Sequence, residues 1–599
     1  MSQVLRPEYP RPLIVREEWM SLNGSWGFAF DDDDRGVDDE WYRADHRLDG
    51  EILVPYPFEA KASGIGDSSV HKVVWYRSEF SMPNSWQGRR LRLHFGAVDY
   101  QATVWVNGHL VGSHRGGYTA FWFDITRHLS AGENVITVRV FDELTPEQPR
   151  GKQVLTERSR SIFYTRCTGI WQTVWLEPVH EHCIEDVRVD PDLDRHEAII
   201  SIRTSTAKTA YLDVQVRCGE HDAGQANGLV QGGRAQFRVK LDPFLPWSPS
   251  TPNLYDLELE LSSDKEVLDQ ARSYCGLRAI GVSDGLITLN GEPCYQKLVL
   301  DQSYWPDGVY TAPSDQAIRE EVEWVLRMGF NGVRKHQVSS DPRFLYWADR
   351  LGLLVWQDMP GQTISLPDVV RARQAGQAEA NLIREWSELI RQARGHPSII
   401  VWVPFNESWG LYGVSHDAAT RAFMLDVVRL TKDLDPDRLV VGNDGWEHLT
   451  ETDIFALHDY ATNGEELLSH LQQWGRPGWE RTGERYPLAL IPGERYVGQP
   501  LILSEYGGLA LVPNDEQVPS ESWGYGRVEP DATSFLGRYH GLQAAIAAEP
   551  RVTGYCYTQL TDVEQEINGL LSFHRSPKVD PDEIRRLNDM VTGPGAVEG

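Results

Sequence analysis

The stretch SIIVWVPFNESWG, residues 398–410, is apolar from Ile399 to Phe405 and then turns polar at Asn406 and Glu407. An apolar run without alternation reads as a strand covered on both faces, which is the position of a strand in a parallel sheet flanked by helices. A carboxylate at the end of such a strand can meet a ligand without being entombed in the core. If this strand belongs to a closed barrel, Asn406 and Glu407 stand at the rim where barrel chemistry is done.

Working outward, amphipathic spacing appears on either side. Ile318, Val322 and Leu326 lie at helical intervals, as do Leu382, Ile383, Trp386, Leu389 and Ile390. Between such segments, candidate buried strands fall near 297–301, 331–334, 353–357, 399–405, 438–443, 454–458, 500–504 and 553–559. Eight β/α units predict a C-terminal (β/α)8 TIM barrel over 279–599. Upstream the grammar is different. Segments such as VWYRSEF, ATVWVNGHLVG and WQTVWLEP alternate apolar and polar residues between turns, which predicts an N-terminal β jelly-roll sandwich over 1–180. AIISIRTST, YLDVQVRC and LYDLELELS continue that alternation and predict an immunoglobulin-like β-sandwich over 181–278. The fold class expected is therefore multidomain, two sandwiches followed by a barrel.

A formal net charge of −29 with no offsetting Lys/Arg run argues against nucleic acid and against an anionic membrane surface as partners. Six scattered cysteines, without a C-x-x-C pair or a repeated Cys/His spacing, signal neither a zinc site nor a disulfide framework. The start MSQVLRPEYPRPLIV lacks the pattern of a secretory signal, and no long apolar run occurs, so a cytoplasmic location is expected. No nucleophile elbow, phosphate-binding Gly-Lys loop or H-E-x-x-H motif is present.

A second strand ends as the first does. QPLILSEYGG, residues 499–508, is apolar up to Ser504 and then presents Glu505. Two strand-end glutamates facing each other across one barrel are the chemical equipment for breaking a glycosidic bond, where one carboxyl protonates the leaving oxygen and the other attacks carbon or activates water. A lone strand-end glutamate is as readily a salt-bridge partner for a loop arginine; the pair, one member preceded by Asn406, weakens that reading.

At this point the chain resembles glycoside hydrolase family 2, the family of β-galactosidases, β-glucuronidases and β-mannosidases. SLNGSWGFAF, VDYQATVWVNGHLVGSHRGGYTAFWFDIT and TGIWQTVWLEP resemble its jelly roll, LPWSPSTPNLYDLELEL its sandwich, and GFNGVRKHQ, LGLLVWQDMP, HPSIIVWVPFNESWG and LILSEYGG its barrel. The resemblance implies that Glu407 is the general acid/base and Glu505 the nucleophile of a retaining hydrolysis. It implies further that Arg334 sits beside Glu505, that Asn406 bonds the sugar 2-hydroxyl, and that Tyr460 donates to the nucleophile. Phe405 and Trp409 flank Glu407, and apolar surroundings of that kind raise a carboxyl pKa, as a resting acid requires. Asp301, His336, Asp358, Asp444 and His458, at other strand ends, are expected either to contact the terminal sugar or to brace loops.

Three departures bear on specificity. Lys335, His336 and Gln337 follow Arg334, where the family pattern places a histidine three residues on. Thr558 stands in strand eight where a tryptophan is common, which leaves Trp305, Trp409 and Trp446 as candidates for an aromatic floor. Asn568 is followed by Gly569 and Leu570 rather than by the lysine that holds a uronate, so that neutral sugars are favoured, with Lys335 and Arg575 as the remaining sources of positive charge. The expected activity is an exo-acting retaining β-glycosidase, foremost on β-galactosides, needing no organic cofactor, with no residue assigned as a metal ligand. A furanosidase acting on galactofuranose or arabinofuranose, a β-glucuronidase or β-mannosidase, and a non-catalytic carbohydrate-binding protein are the alternatives. Loops at 463–498 and 510–532 are expected to form either the mouth or the contact of a homo-oligomer.

Overall fold

The computed structural model describes residues 5–205, 208–264, 266–362, 376–476, 488–512 and 518–593. The N-terminal part is a sandwich of a six-stranded and a four-stranded antiparallel sheet, with Val73–Ser81 and Glu133–Phe141 central in the larger and Arg90–Phe95 and Val174–Val179 central in the smaller. Alternation along these strands turns Trp26, Phe28, Val74, Tyr76, Leu93, Val104, Val138 and Leu176 into one core between the sheets. A three-stranded and a four-stranded sheet make the second sandwich, closed over Ile200, Leu212, Val214, Leu257 and Leu259.

The C-terminal part is the TIM barrel. Its strands are β1 (Gln296–Asp301), β2 (Gly332–Lys335), β3 (Leu354–Asp358), β4 (Ile399–Val403), β5 (Leu439–Val440), β6 (Phe455–Asp459), β7 (Leu501–Gly507) and β8 (Val552–Thr558). They run parallel in the order β5-β4-β3-β2-β1-β8-β7-β6. The ring closes between β5 and β6 by the isolated parallel bridge Gly445↔Leu457, with Gly445 N–H donating to the Ala456 carbonyl at 3.1 Å. The fifth strand is shorter than the stretch 438–443 anticipated from sequence, because the chain turns away after Val440 to bring Asn443 and Asp444 to the rim.

Every residue of β2, β3, β4, β6, β7 and β8 is buried, as the unbroken apolar runs required. Successive side chains nevertheless go to different cores. Leu298, Leu300, Leu354, Trp356, Val403, Ala456, Ile502 and Cys556 fill the barrel interior. Val299, Val333, Val355, Trp402, Phe455, Leu503 and Tyr557 pack outward against the helices. Those helices include Asp315–Arg327, Gln377–Ala393, Ala418–Leu434 and Ala532–Ala547. Among the described residues, no helix is long and apolar enough to cross a membrane.

The jelly roll is joined to the barrel by a belt of buried aromatics, Tyr118, Tyr164, Trp171, Tyr304 and Tyr310. Next to it, the N–H groups of Arg150 and Gly151 both donate to the Gly361 carbonyl, at 3.0 and 2.9 Å. Gly151 has φ +58°, and a Cβ there would lie 1.9 Å from the Gln337 carbonyl oxygen, so only glycine permits this approach. This junction carries the loop 150–165 of the sandwich over the barrel mouth.

Candidate active site

Above the apolar plug of the barrel lies a fully buried arginine. Arg334, at the inward position of β2, makes a two-pronged pair with Asp358 at 3.1 and 3.0 Å. Its Nη2 also donates to Asn406 Oδ1 at 2.7 Å, and its Nη1 to Glu505 Oε1 at 3.1 Å. The same Nη1 stands 3.1 Å from Asp444 Oδ2. One planar cation thus fixes residues from the ends of β3, β4 and β7 and from the loop after β5, which a lysine's point charge does not match.

Glu407 follows β4 in a strained turn, where Glu407 and Ser408 have φ of 52° and 59°. Residues other than glycine adopt this region at a cost of about 1–2 kcal/mol each. Fixed contacts hold the turn: Ser408 N–H donates to Asn443 Oδ1 at 3.0 Å, the Ser408 hydroxyl bonds to Glu447, and Glu407 N–H donates to the Asp444 carbonyl at 2.8 Å. The Glu407 side chain keeps 21% of its surface exposed, against 7% for Glu505, so Glu407 is the outer member of the pair.

His458, at the inward position of β6, joins the two glutamates. Its Nδ1 is 2.9 Å from Glu407 Oε1, and its Nε2 is 2.8 Å from Asp444 Oδ1 and 3.4 Å from Glu505 Oε1. Burial disfavours charge on the ring, but Glu505, Asp444 and Glu407 together raise its pKa to about 10. The imidazolium in turn reverses the expectation for Glu407. Burial pushes the Glu407 carboxyl up, but the hydrogen bond and charge of His458 outweigh it and hold the group below the ordinary glutamate value. The apolar neighbours Phe405 and Trp409 do not decide its state.

Donor atoms of Glu407, His458 and Glu505 lie within 4.8 Å of one another, the one such trio of possible metal ligands among the described residues. Both ring nitrogens of His458 are committed to carboxylates and the ring is held protonated, which makes it a poor ligand. On the other side of Glu505, Tyr460 donates its hydroxyl to Oε2 at 2.6 Å and lies 3.2 Å from Thr558 Oγ1. The Tyr460 ring stacks on Tyr525, with centroids 3.6 Å apart. Among the described residues Asn406 Nδ2 is buried without a partner, a donor left for a ligand.

The remaining residues singled out from sequence divide. Asp358 is part of the Arg334 cradle and lies 3.0 Å from His336 Nδ1; burial lifts its pKa to about 6 against the pull of Arg334. His336 is held neutral by burial. Asp444 accepts from Ser504 and His458; burial works against its charge, but Arg334 and His458 keep it well below the usual carboxylate range. Asp301 stands apart from the pair: it is buried against Lys335 and accepts from Ser303 N–H at 2.8 Å, which makes it a brace. Lys335 also faces Glu321, and Arg575 is bonded to Glu321 at 3.1 Å over the ring of Trp305, so neither cation is free to meet a sugar carboxylate. Trp305 is thereby covered. Trp409 is buried in a stack with Phe163 of the jelly roll, and Trp446 remains half-buried with its ring edge-on to His458 at 5.6 Å. The loop after Tyr460 contains the helix Gly464–Leu471, and positions 477–487 and 513–517 of the expected mouth loops lie outside the described residues.

Three neighbours escaped the sequence reading. Tyr525 comes from the second mouth loop. Glu566, after β8, is buried and accepts from the hydroxyl of Tyr164 and from Asn568 Nδ2 at 2.9 Å; burial raises its pKa. Lys152 reaches in from the jelly roll, with its Nζ 4.9 Å from the centre of the Trp409 ring. Nothing in the spacing of a sandwich loop marks a residue for a barrel mouth that lies more than a hundred positions away.

Comparison with known proteins agrees with this architecture. Residues 19–176 match the sugar binding domain of glycosyl hydrolases family 2, residues 182–278 the domain described as glycosyl hydrolases family 2, and residues 280–570 its TIM barrel domain. A β-galactosidase of Thermoanaerobacter pseudethanolicus is 30% identical over 349 residues, 56% of this chain and 45% of that protein. A β-glucuronidase of Paenibacillus borealis is 24% identical over 577 residues, 89% of each. The chain spans just under half the length of several curated relatives, including a putative β-glucuronidase of Formosa agariphila, of which 46% is matched. Among solved structures, a β-glucuronidase from Ruminococcus gnavus superposes with a TM-score of 0.77 at 17% identity, over 98% of this chain and 100% of that one.

Proposed function

The chain belongs to glycosyl hydrolase family 2, and from that premise we propose that it is a retaining exo-β-glycosidase that removes terminal non-reducing neutral sugars, foremost β-galactosides. The observation that carries this reading is the closeness of Glu407 and Glu505, whose carboxylate oxygens approach within 4.8 Å at the barrel mouth. Retaining enzymes hold their carboxyls about 5–5.5 Å apart, whereas inverting ones leave about 6.5–9.5 Å for a water.

In the first step Glu505 attacks the anomeric carbon while the glycosidic C–O bond breaks, and the leaving oxygen takes its proton from Glu407. The product of that step is an ester between the sugar and Glu505. In the second step Glu407 takes a proton from water, and the resulting hydroxide oxygen displaces Glu505 from the anomeric carbon with net retention. Arg334 and Tyr460 orient the two oxygens of Glu505. Asn406, its Oδ1 pinned by Arg334, directs Nδ2 at the 2-hydroxyl, where hydrogen bonding strengthens in the transition state. The proton that Glu407 needs is stored one hydrogen bond away, on His458 Nδ1.

A neutral sugar is favoured over a uronate because Lys335 and Arg575 are both consumed by Asp301 and Glu321. The test is a panel of p-nitrophenyl pyranosides and furanosides of both anomers, assayed with wild type beside Glu505→Gln. Release from a β-galactoside by wild type alone supports the proposal; turnover confined to a β-glucuronide or a furanoside overturns the choice of sugar, and turnover retained in Glu505→Gln overturns the mechanism.

A further inference from the structure

The cations at the barrel mouth are nearly all committed. Arg334 and His458 bind the carboxylates of the site, Lys335 is paired with Asp301, and Arg575 with Glu321. Lys152 differs. It is 7% exposed, and among the described residues its ammonium makes no ion pair and no hydrogen bond, only the contact with the Trp409 ring at 4.9 Å.

Its position is built. Gly151 is locked to Gly361, and Tyr164 N–H donates to the Lys152 carbonyl at 2.8 Å. Phe163 stacks on the Trp409 ring that Lys152 overlies, with centroids 5.5 Å apart. Tyr164 carries the same loop onward to Glu566. The charge of Lys152 bears on Glu407 and His336, just after β4 and β2, and on Glu566, in the loop that follows β8. The ammonium therefore overlooks the space between the acid/base and the sandwich.

An ammonium has three donors, and among the described residues no side chain takes up those of Lys152, whose Nζ is left to solvent at the mouth or to a ligand there. A ligand that supplies acceptors there is bound more tightly for it. That ligand must also tolerate Glu407 and Glu566. A further carboxylate meets their repulsion, whereas a hydroxyl accepts from the ammonium and donates its own proton to a carboxylate.

We infer that Lys152 is a specificity-determining residue of the sugar site, its ammonium donating to a pair of neighbouring hydroxyls on the ring held at the mouth. This rests on the glycosidase reading above, and it makes the site a composite of sandwich and barrel.

The experiment compares wild type, Lys152→Met and Lys152→Arg on the p-nitrophenyl glycoside that wild type cleaves and on its monodeoxy analogues. Lys152→Met is expected to lower kcat/KM about 10–100-fold on the parent sugar, mainly through KM, with Lys152→Arg partly restoring it. On the analogue that lacks the contacted hydroxyl, wild type and Lys152→Met should differ by less than about 3-fold. An equal loss on every analogue, or no loss at all, overturns the inference. Calorimetric titration of both proteins with galactose and its deoxy sugars reads the contact without turnover. Should wild type prove silent on every glycoside, the glycosidase reading fails by itself, and Lys152 is then judged by calorimetry alone: a Lys152→Met protein that binds each sugar as wild type does, including binding none, overturns the assignment.

Discussion

Arg334 Nη1 lies 3.1 Å from Glu505 Oε1, while the Nε and Nη2 of the same guanidinium grip Asp358. The arginine is wholly buried and answers several carboxylates at once. Arg334→Met leaves Asp358, Asp444 and Glu505 clustered without their cation, a loss on the order of 3–5 kcal/mol in stability for a broken buried pair. Arg334→Lys keeps the charge but not the fork, and should fold while losing about 100-fold or more in kcat. Melting curves and single-substrate kinetics on the two variants separate these roles. Full activity in Arg334→Lys would show that the fork geometry is irrelevant.

The outer position of Glu407 leads to a chemical rescue. On the proposed mechanism, removing the Glu407 side chain in Glu407→Ala opens space at the exposed side of the anomeric centre, where azide would attack the glycosyl ester on Glu505. With an activated aryl β-glycoside, added azide should restore turnover about 10-fold or more and give the β-glycosyl azide. Formation of the α-azide would contradict retention.

Much of this is legible in the sequence, for a definite reason. In a parallel barrel each strand is covered on both faces, so Ile399–Phe405 and Leu501–Leu503 had to be continuous apolar runs, and a carboxylate could only stand where such a run stopped. What the sequence did not carry is which side chains meet. His458, Asp444 and Glu407 come from separate strand ends, and their contact depends on barrel tilt and on the strained turn at Glu407–Ser408. The local residues Phe405 and Trp409 therefore pointed to a raised Glu407 pKa, and the distant His458 reversed it. Asp301 looked like its neighbours at the rim because nothing in LVLDQS tells that Lys335, on the adjacent strand, will claim it.

The His458–Glu407 contact gives a pH signature. His458 in the folded protein titrates near 10, above the ordinary histidine value near 6.5, so folding takes up a proton in that interval. Its contribution to stability is complete below about pH 6.5 and is lost as pH rises through about 10. The melting temperature of wild type should therefore fall more steeply between pH 6.5 and 10 than that of His458→Asn. Kinetics should move as well. With the proton of the pair kept on His458 up to about pH 10, the basic limb of kcat/KM should move to lower pH in His458→Asn, where Glu407 must hold that proton itself. Superimposable profiles for the two proteins, in both melting and kinetics, would remove His458 from the proton inventory of the site.

Gly151 tests whether the sandwich and the barrel act as one site. A Cβ at this position would lie 1.9 Å from the Gln337 carbonyl oxygen, and backbone rather than a flexible side chain would have to move. Gln337 is itself tied to the site, its N–H donating to Asp358 Oδ2 at 3.3 Å and its Oε1 accepting from Gly361 N–H at 2.6 Å. Gly151→Ala should therefore push the 150–165 loop off the rim, carrying Lys152 and Phe163 away from Trp409. The expected cost is about 1–3 kcal/mol in stability, with a rise in KM larger than the fall in kcat, since Glu407 and Glu505 stay on barrel strands. Gly24→Ala serves as the control: its φ is also positive, at 135°, but a Cβ there meets nothing within 4 Å, so it carries backbone strain without a clash at the mouth. If both variants lose stability alike and neither changes KM, the loop 150–165 is scaffold and the sugar is held by the barrel alone.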